Sequence, residues 1–358
     1  MSGNGHAVLT LPILDLNPPV VQLVNTMENS CPVRWYCGEA HALAAATTCD
    51  TLTEISFIPI HAGNSWASAL PEMYRTFMNS TKGYWKPLEA ISDDRLLEAR
   101  GQLHQAVQLL TAAGISFVEH KPDDSHTALL WDSKTNIFLS QPFGPDNTFQ
   151  LGLSPRDLTC HVFHKHEMLL KLKLNGTTLN QVASDFQFFL EDHGLTKNVF
   201  TLERHFELPD YPDRGSSPFD TSDQLAFDVL SSAYTNACPI INKIALDDSR
   251  AGTLLTWPHH FDMAILLTPG AGKSIGVGMS PGDTSYTVPY YYVNVWPYPS
   301  DDQINEKPLT FGKWHTKEWK GMVLPLDQIV QGGEPEAQKS IVETFLQESI
   351  QHAANITE

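Results

Sequence analysis

Two stretches of the chain carry the same motifs in the same order, and this internal repeat is the feature that most constrains the fold. One stretch reads DDSHTALLWDSKTNIFLS from residue 123, and the other reads DDSRAGTLLTWPHHFDMAILL from residue 247. Each continues into another apolar segment and then into G-L-S-P-R-D or G-M-S-P-G-D. A repeat of this kind indicates two copies of one supersecondary unit. The copies span about residues 94–165 and 223–298.

Each copy starts with a helical pattern and changes to short strands. Residues 93–113 carry apolar residues at three- and four-residue spacing, which predicts a helix that ends at Gly114. Helical spacing returns in residues 179–190 and 223–244, whereas residues 253–296 hold short apolar or alternating segments typical of strands. We therefore expect an α+β fold with tandem duplicated units, each an antiparallel sheet plus a helix, related by a pseudo-twofold axis.

The predicted organisation has five parts. An N-terminal extension, mostly irregular but with a strand near residue 56 and a helix over residues 70–80, is expected to pack on the body. A segment rich in Pro, Asp, Ser and Gly separates the two repeats, and an amphipathic helix ends the chain. The predicted boundaries are 1–84 for the extension, 85–206 for the first α+β repeat, 207–222 for the linker, 223–330 for the second repeat with the site, and 331–358 for the C-terminal helix.

Charge and cysteine content limit the partners and the compartment. The net charge is −18, whereas nucleic acids and anionic membranes require a basic surface, so we expect neither as a partner. No apolar run approaches the ~18 residues of a membrane-spanning helix, and the N-terminus lacks a basic leader. Five cysteines without a C-x-x-C pair favour a reducing, cytoplasmic location. The sequence does not indicate the oligomeric state.

Three motifs resemble a known family. The pieces W-P-H-H-F-D, S-P-G-D-x-S-Y-x-x-P-Y-Y-Y-V and W-H-T-x-x-W-x-G-M-V-L-P look like an uncharacterised bacterial domain-of-unknown-function family. The resemblance covers about residues 85–325 and implies a duplicated α+β domain. That family has no assigned reaction, so the resemblance implies a fold and a repeat but no chemistry.

The stretch LLTWPHHFDMAILL, residues 254–267, reads as one β-strand whose apolar run is interrupted by polar residues. When the two copies are aligned at Trp131 and Trp257, the pair of histidines and the aspartate occur in the second copy alone. This difference between the halves predicts that a functional site lies in the second half.

Two arrangements of these polar residues are possible on a strand, because neighbouring side chains point to opposite faces. His260 and Asp262 would share one face, where the carboxylate could orient the imidazole as a general base. His259 would lie on the other face with Trp257 and Phe261, where desolvation would keep it neutral. A third interpretation is that one histidine ends a strand and the other is exposed to solvent.

Two aromatic clusters follow and suggest a ligand-binding surface. Tyr290 and Tyr292 share a strand face and offer flat apolar walls with hydroxyl donors, with Tyr291 on the opposite face. Further along, His315 lies between Trp314 and Trp319 in a loop, and this cluster is a candidate for closing a pocket. Asp283 lies in a Pro-Gly-Asp turn and is most simply a turn residue.

The predicted function is that of a cofactor-independent enzyme acting on a small aromatic or polyketide-like substrate. The sequence lacks a phosphate-binding loop, a zinc-protease motif and a nucleophile elbow, which favours proton-transfer chemistry by an isomerase, cyclase or lyase. One concrete form is Michael-type ring closure of a chalcone-like phenol. The candidate catalytic residues are His259, His260, Asp262 and His315, and the candidate substrate-binding residues are Trp257, Tyr290, Tyr291, Tyr292 and Trp314.

Two other functions stay open at this stage. A metal-dependent enzyme would use histidine and aspartate ligands, and His164 and His166 have the spacing of ligands on one strand face. No third ligand is evident beside that pair, so no metal is predicted. The second alternative is a non-catalytic protein that presents an aromatic groove to a ligand or to a partner.

Overall fold

A computed structural model describes residues 85–195, 200–209, 217–304 and 308–357, together with the backbone of four strands nearer the N-terminus. The chain divides into two compact units, Met1–Tyr84 and Trp85–Glu358. Among the described residues, no helix is long and apolar enough to cross a bilayer.

The first unit contains a four-stranded antiparallel sheet, although the sequence predicted mostly irregular structure there. The strands lie next to each other in chain order, as in a simple meander. The predicted strand near residue 56 is present, whereas the predicted helix over residues 70–80 lies outside the described residues. The four strands are β1 (Val21–Val24), β2 (Val33–Cys37), β3 (Ala42–Ala46) and β4 (Ser56–Pro59).

The second unit begins with two consecutive helices and a five-stranded antiparallel sheet. The helices are α1 (Asp93–Ala106) and α2 (Gln108–Phe117). The strands again lie in chain order, and a helix with a complete capping box at Thr178 follows them. These elements are β5 (Leu130–Asp132), β6 (Ile137–Leu139), β7 (Phe149–Ser154), β8 (Thr159–His164), β9 (Glu167–Lys173) and α3 (Leu179–Asp192).

Gly114 does not end the helical segment as predicted, because α2 continues through it to Phe117. A Cβ atom at this position would lie 2.4 Å from the carbonyl oxygen of His126. The glycine is therefore required for the close approach of another backbone segment, and not for a left-handed helix end.

In the rest of the second unit, one long helix precedes a six-stranded antiparallel sheet in the chain and another follows it. Its strand order is β10-β11-β12-β13-β15-β14. The predicted C-terminal helix is confirmed. The elements are α4 (Gln224–Asp247), β10 (Leu255–Trp257), β11 (Asp262–Gly270), β12 (Lys273–Ser280), β13 (Tyr290–Trp296), α5 (Asp301–Ile304), β14 (Lys313–His315), β15 (Gly321–Pro325), α6 (Leu326–Val330) and α7 (Pro335–Thr357).

Residues 254–267 form a hairpin, and the histidine pair that was expected to lie on a strand lies in its turn. Strand β10 ends at Trp257, a four-residue turn follows, and β11 begins at Asp262. Phe261 has a φ of 61°, and its N–H donates to the carbonyl of Trp257 at 2.6 Å. Its ring is completely buried in the core, so burial stabilises a left-handed conformation that a bulky residue rarely adopts.

The two sheets of the second unit meet edge to edge. Leu129, just before β5, exchanges two backbone hydrogen bonds with Thr256 of β10, at 2.8 and 2.9 Å. Buried apolar residues from both sheets and their helices belong to one continuous core. The predicted α+β class, with two antiparallel sheets in this unit, is therefore confirmed.

The six-stranded sheet has two chemically different faces. Helices α4 and α7 pack against it, and the apolar residues of β12 that are fully buried in the core are Ile275, Val277 and Met279. The alternating residues of β12 that point the other way are Gly276, Gly278 and Ser280. The side without bulky β12 side chains is therefore available for the polar and aromatic residues of neighbouring strands.

We predict that Gly114→Ala destabilises the protein by about 1–3 kcal/mol, because the added methyl group overlaps a backbone carbonyl. Alanine for glycine inside a helix would otherwise stabilise by up to ~1 kcal/mol. Urea denaturation measures the difference. Gly270→Ala is the matched control, since a Cβ there meets no atom within 4 Å. Equal stability of the two variants would contradict the interpretation.

Candidate functional site

The turn between β10 and β11 accepts hydrogen bonds from one helix in each half of the second unit. The imidazole of His104 on α1 donates from Nε2 to the carbonyl of Pro258 at 2.7 Å. The hydroxyl of Tyr234 on α4 donates to the carbonyl of Phe261 at 2.6 Å. Burial lowers the pKa of His104 to about 3, so this imidazole is neutral at neutral pH. The ends of the turn are thus fixed by buried donors.

The two histidines of the turn have different surroundings. His259 is half-buried, with its ring centroid 6.2 Å from Trp257 and 5.8 Å from Phe206. Burial, followed by the neighbouring His260, lowers the pKa of His259 below its ordinary value. His260 is exposed, with its ring centroid 4.5 Å from that of His259. His259 is therefore the neutral imidazole among aromatic rings, which was one of the three interpretations that the sequence left open.

Asp262 and Tyr292 meet across an intervening strand. They belong to β11 and β13, and Gly278 of β12 pairs directly with Tyr292. A Cβ atom at Gly278 would lie 2.6 Å from Cζ of Tyr292. Because the glycine has no side chain, the tyrosine ring lies across β12 and its hydroxyl donates to Oδ2 of Asp262.

Desolvation controls the protonation of this pair. Asp262 retains some exposed surface, but burial of its carboxyl raises its pKa above the ordinary value. The hydrogen bond from Tyr292 and the charge of His260 oppose this rise. Burial, together with the charge of Asp262, raises the pKa of Tyr292 well above its ordinary value. Tyr292 consequently remains a donor at neutral pH, and Asp262 takes up a proton more readily than an exposed aspartate.

A second hydrogen-bonded pair lies on the loop after β12. Oδ1 of Asp283 accepts from the backbone N–H groups of Ser285 and Tyr286 at 2.7 and 2.9 Å, which is the chemistry of a turn residue. Its Oδ2 also accepts from the hydroxyl of Tyr290 at 2.7 Å. Asp283 therefore links the turn to the tyrosines of β13, a role beyond the predicted one.

In the hydrogen-bonded pair of Tyr286 and His315, the donor and the acceptor of each hydrogen bond can be assigned. Nε2 of His315 donates to the carbonyl of Lys317 at 2.5 Å, which leaves Nδ1 as the acceptor. The hydroxyl of Tyr286 lies 3.1 Å from this Nδ1 and donates to it. Trp319 stacks on His315 with a centroid distance of 4.3 Å. The ring of His315 is thus fixed in position and in tautomer.

Neighbouring ring contacts join these pairs into one layer. Tyr290 lies 5.0 Å from Tyr286 and 6.1 Å from Tyr292 between ring centroids. Trp319 is 6.5 Å from Tyr292. We name this layer the aromatic face, and its members are Asp262, Tyr286, Tyr290, Tyr292, His315 and Trp319.

Some predicted site residues lie elsewhere. Tyr291 points to the opposite face of β13, as predicted, but its ring is buried in the core and cannot contact a ligand on the aromatic face. Trp314 pairs with Met322 and packs against the same core, so it cannot line this face either. The structure thus places both predicted substrate-binding side chains away from the aromatic face, because alternation turns them inward.

The predicted metal-like spacing of His164 and His166 does not place them on one strand. His164 ends β8, where its ring stacks on Phe149 at 4.4 Å. His166 lies in the turn before β9, with a φ of 70°. The turn changes the direction of the chain between the two side chains, so the expected common strand face does not exist.

Three residues of the site were not singled out from the sequence. Tyr286 lies within a motif that was quoted, and its spacing from the strand residues could have suggested it. Gly278 is one of two glycines that alternate with apolar residues in I-G-V-G-M, a pattern that indicates a crowded sheet face. His104 lies on a distant helix, and no local signal connects it with the turn.

We predict that Tyr292→Phe raises the pKa of Asp262 further, because the lost hydrogen bond favours the ionised carboxyl. Infrared or NMR spectroscopy of protein labelled at aspartate carboxyl carbons, compared with an Asp262→Asn spectrum, measures the titration. Tyr298→Phe is the control, since Tyr298 is exposed. An Asp262 titration identical in wild type and Tyr292→Phe would show that the two side chains do not interact.

The buried imidazole of His104 should make folding dependent on pH. Its pKa in the folded protein, about 3, lies below the ordinary 6.5, so the unfolded chain binds a proton that the folded chain does not. The free energy of unfolding should therefore fall as the pH drops from 6.5 towards 3. His104→Gln, which keeps an N–H donor, should lose this component and show a smaller decline. His193→Gln, at an exposed helix end, should keep the wild-type decline; equal slopes for all three proteins would refute the prediction.

No protein-family model, curated protein or solved structure matches this chain. The resemblance to a family of unknown function, based on the motifs at Trp257, Asp283 and Trp314, therefore stays a prediction. The chemistry of the site has to be inferred from its geometry, above all from the Asp262–Tyr292 and Tyr286–His315 pairs.

Proposed function

We propose that the protein is an acid–base enzyme that isomerises or cyclises a small aromatic substrate on the aromatic face. The observation that carries this proposal is the carboxyl of Asp262, which has a raised pKa and accepts a hydrogen bond from Tyr292 among aromatic rings. A carboxyl whose pKa is raised above its ordinary value is more often protonated, so it can donate as well as accept a proton, as general catalysis requires.

The face offers two proton-transfer groups. At one end, Asp262 exchanges a proton under the control of Tyr292. At the other, Nδ1 of His315 is ready to accept the proton of Tyr286, whose oxygen could then take one from a substrate. Two such groups on one surface suit a reaction that removes a proton from one atom and adds a proton to another.

An aromatic substrate fits the side chains between these groups. The rings of Tyr286, Tyr292 and Trp319 offer flat surfaces for stacking. In ring closure of a hydroxychalcone, the phenol oxygen would form a bond to the β-carbon of the enone as its proton passes to Tyr286 and His315. The α-carbon would take a proton from Asp262, and the two groups would then re-exchange their protons through solvent. The product is an isomer of the substrate, so no oxidant or other reactant is consumed.

The histidines of the turn support Asp262 in this proposal. His260, when charged, favours the ionised carboxyl, and the half-buried His259 is neutral and able to accept a proton. Both belong to the fastened turn that precedes Asp262. We assign them an electrostatic role beside the carboxyl, together with Trp257, which packs against His259.

We also propose that residues 85–357 arose by duplication and have a pseudo-twofold axis. Each half starts with a long helical segment, continues into an antiparallel sheet and ends in a helix. The first hairpin of each sheet has a four-residue turn whose last residue, Asn136 or Phe261, has a φ of 54° or 61°. Superposing the two turns aligns Asn136 with Phe261. This alignment differs by one residue from the sequence alignment that matches Trp131 with Trp257.

Contacts between the halves support the same axis. The antiparallel bridge between Leu129, just before β5, and Thr256 of β10 places the two edge strands side by side, as a twofold axis between them would. On α1, Arg100 donates to the carbonyl of Thr287 beyond the second S-P-x-D turn, at 2.8 Å. On α4, Asp228 accepts from Arg156 of the first S-P-x-D turn, at 2.7 Å. Each half thus contributes a helix to the corresponding turn of the other.

In a duplicated protein, the acid–base site would be present in the second half and not in the first. On this alignment, Ile137 occupies the place of Asp262, and His161 occupies the place of Tyr292, since each faces a glycine of the neighbouring strand. An isoleucine cannot exchange a proton, so the carboxyl belongs to the second half alone.

The proposed setting is the cytoplasm. Cys160 and Cys238 are free thiols, which supports a reducing compartment. Their pKa values are raised by burial, Cys238 to about 12, so neither is a reactive thiolate. The net charge of −18 supports a small-molecule substrate and not a nucleic acid.

The test uses 2′-hydroxychalcone as the probe and follows its conversion to flavanone. We expect the purified protein to exceed the buffer rate, and Asp262→Asn and Tyr286→Phe each to lower kcat by at least about 10²-fold, the usual contribution of a general acid or base. His193→Gln, outside the aromatic face, should keep full activity.

Each other outcome has a distinct meaning. Binding of the probe without turnover, abolished by Trp319→Ala, would replace the enzyme with a non-catalytic ligand-binding protein. Neither binding nor turnover with a panel of hydroxylated chalcones would overturn the proposed substrate class. Turnover that is unchanged in Asp262→Asn would overturn the assigned chemistry.

A further inference from the structure

We propose that His120, Asp124 and His126 bind a divalent transition-metal ion such as Zn²⁺, with His205 as the fourth ligand. These residues lie in the first half, outside the aromatic face. The proposal does not rest on the proposed acid–base function, because none of the four side chains belongs to that face.

The ligand atoms already converge. One potential ligand atom from each of His120, Asp124 and His126 lies within 4.8 Å of the others. On a tetrahedral zinc ion, ligand atoms bound at ordinary distances are about 3.3 Å apart. His126 is buried, Asp124 half-buried and His120 exposed, so a small movement of the exposed imidazole would close the site around an ion.

His205 supplies a fourth donor from a separate segment. Its Nε2 lies 3.1 Å from Oδ1 of Asp124, and its ring is parallel to that of His126 at a centroid distance of 6.4 Å. The proposed ligands are three nitrogen donors and one oxygen donor. Two imidazoles and the carboxylate lie on one loop, and the third imidazole comes from residues 200–209. Such a set suits zinc and its neighbours in the transition series better than calcium or magnesium.

The loop that carries the first three ligands is held by its own backbone. The N–H of Asp124 donates to the carbonyl of Lys121 at 3.0 Å, and the carbonyl of Asp124 accepts from the N–H of Thr127 at 2.9 Å. Asp124 itself has a φ of 59°, which turns the chain sharply between the two histidines. The turn therefore brings His120 and His126 to the same side, with ring centroids 4.8 Å apart.

In the second half, residues 247–250 correspond to residues 123–126, and there the aspartate has a positively charged partner. There the sequence is D-D-S-R in place of D-D-S-H, and the guanidinium of Arg250 donates to both oxygens of Asp248 at 2.6 and 2.9 Å. The carboxylate is thus neutralised by a cation from its own chain. In the first half His126 replaces the arginine, and a metal ion bound by the histidines would supply the positive charge beside Asp124.

Four protein ligands would fill a tetrahedral coordination sphere, which is typical of structural rather than catalytic zinc. The ion would fasten residues 200–209 to the loop between α2 and β5. Phe206, next to His205, packs against His259 with its ring at 5.8 Å. Metal binding would thereby stabilise the surroundings of the β10–β11 turn without contact with the aromatic face.

The test starts from the full chain treated with a chelator and titrates it with Co²⁺ and with Zn²⁺. We expect one equivalent of Co²⁺ to produce the visible absorption of a tetrahedral site, and Zn²⁺ to displace it and raise the Tm. Asp124→Asn and His126→Ala should each weaken binding by at least about 100-fold, more than the loss of an outer-shell partner.

Matched controls separate this site from other histidines of the chain. Asp248→Asn changes the equivalent carboxylate of the second half, and His164→Ala removes a histidine outside the cluster; both should bind as wild type. His205→Ala should lose the tetrahedral spectrum while His120, Asp124 and His126 remain. Weak binding of several ions, or binding that survives Asp124→Asn and His126→Ala in folded protein, would overturn the proposal. Activity on the chalcone probe is a separate measurement, so either proposal can fail alone.

Discussion

The turn at Pro258–Phe261 is the point on which the packing of the second unit depends. A left-handed conformation at a residue such as Phe261 costs about 1–2 kcal/mol, which must be offset by other interactions. Three interactions offset this cost. The ring of Phe261 is buried, it stacks on His104 at a centroid distance of 4.8 Å, and the carbonyl of Phe261 accepts a hydrogen bond from the hydroxyl of Tyr234. Because the two donors come from helices of different halves, the turn joins the halves as well as the strands.

The fixed turn determines what the next residue can do. Asp262 follows the turn directly and is the first residue of β11. Its carboxyl therefore lies beside the face of β12 that carries Gly276 and Gly278. Gly278 leaves room for the ring of Tyr292, and the hydroxyl of this tyrosine reaches the carboxyl. The altered pKa of Asp262 thus depends on a turn, a glycine and a tyrosine that belong to three separate elements.

Sequence patterns predicted the parts of the molecule that local periodicity controls. Alternation placed Tyr290 and Tyr292 on one face of their strand, and helical spacing located the helices that precede and follow each sheet in the chain. The wrong predictions occurred where a residue has a tertiary role: Gly114 looked like a helix end but accommodates a carbonyl, and the histidine pair looked like part of a strand but lies in a turn. A left-handed Phe261 gives no local signal, because only the buried site for its ring makes that conformation favourable.

By itself, the sequence determined the α+β class, the order of the main helices and strands of the second unit, and the acidic net charge, since periodicity and charge are properties of short segments and of composition. Tertiary structure alone decided which polar groups meet. It brought His104 to Pro258, Tyr292 to Asp262 across a neighbouring strand, and His205 to Asp124 from a distant segment. These contacts depend on packing between elements far apart in the chain, and desolvation, which changes the pKa of Asp262 and of His104, exists only after that packing has excluded water.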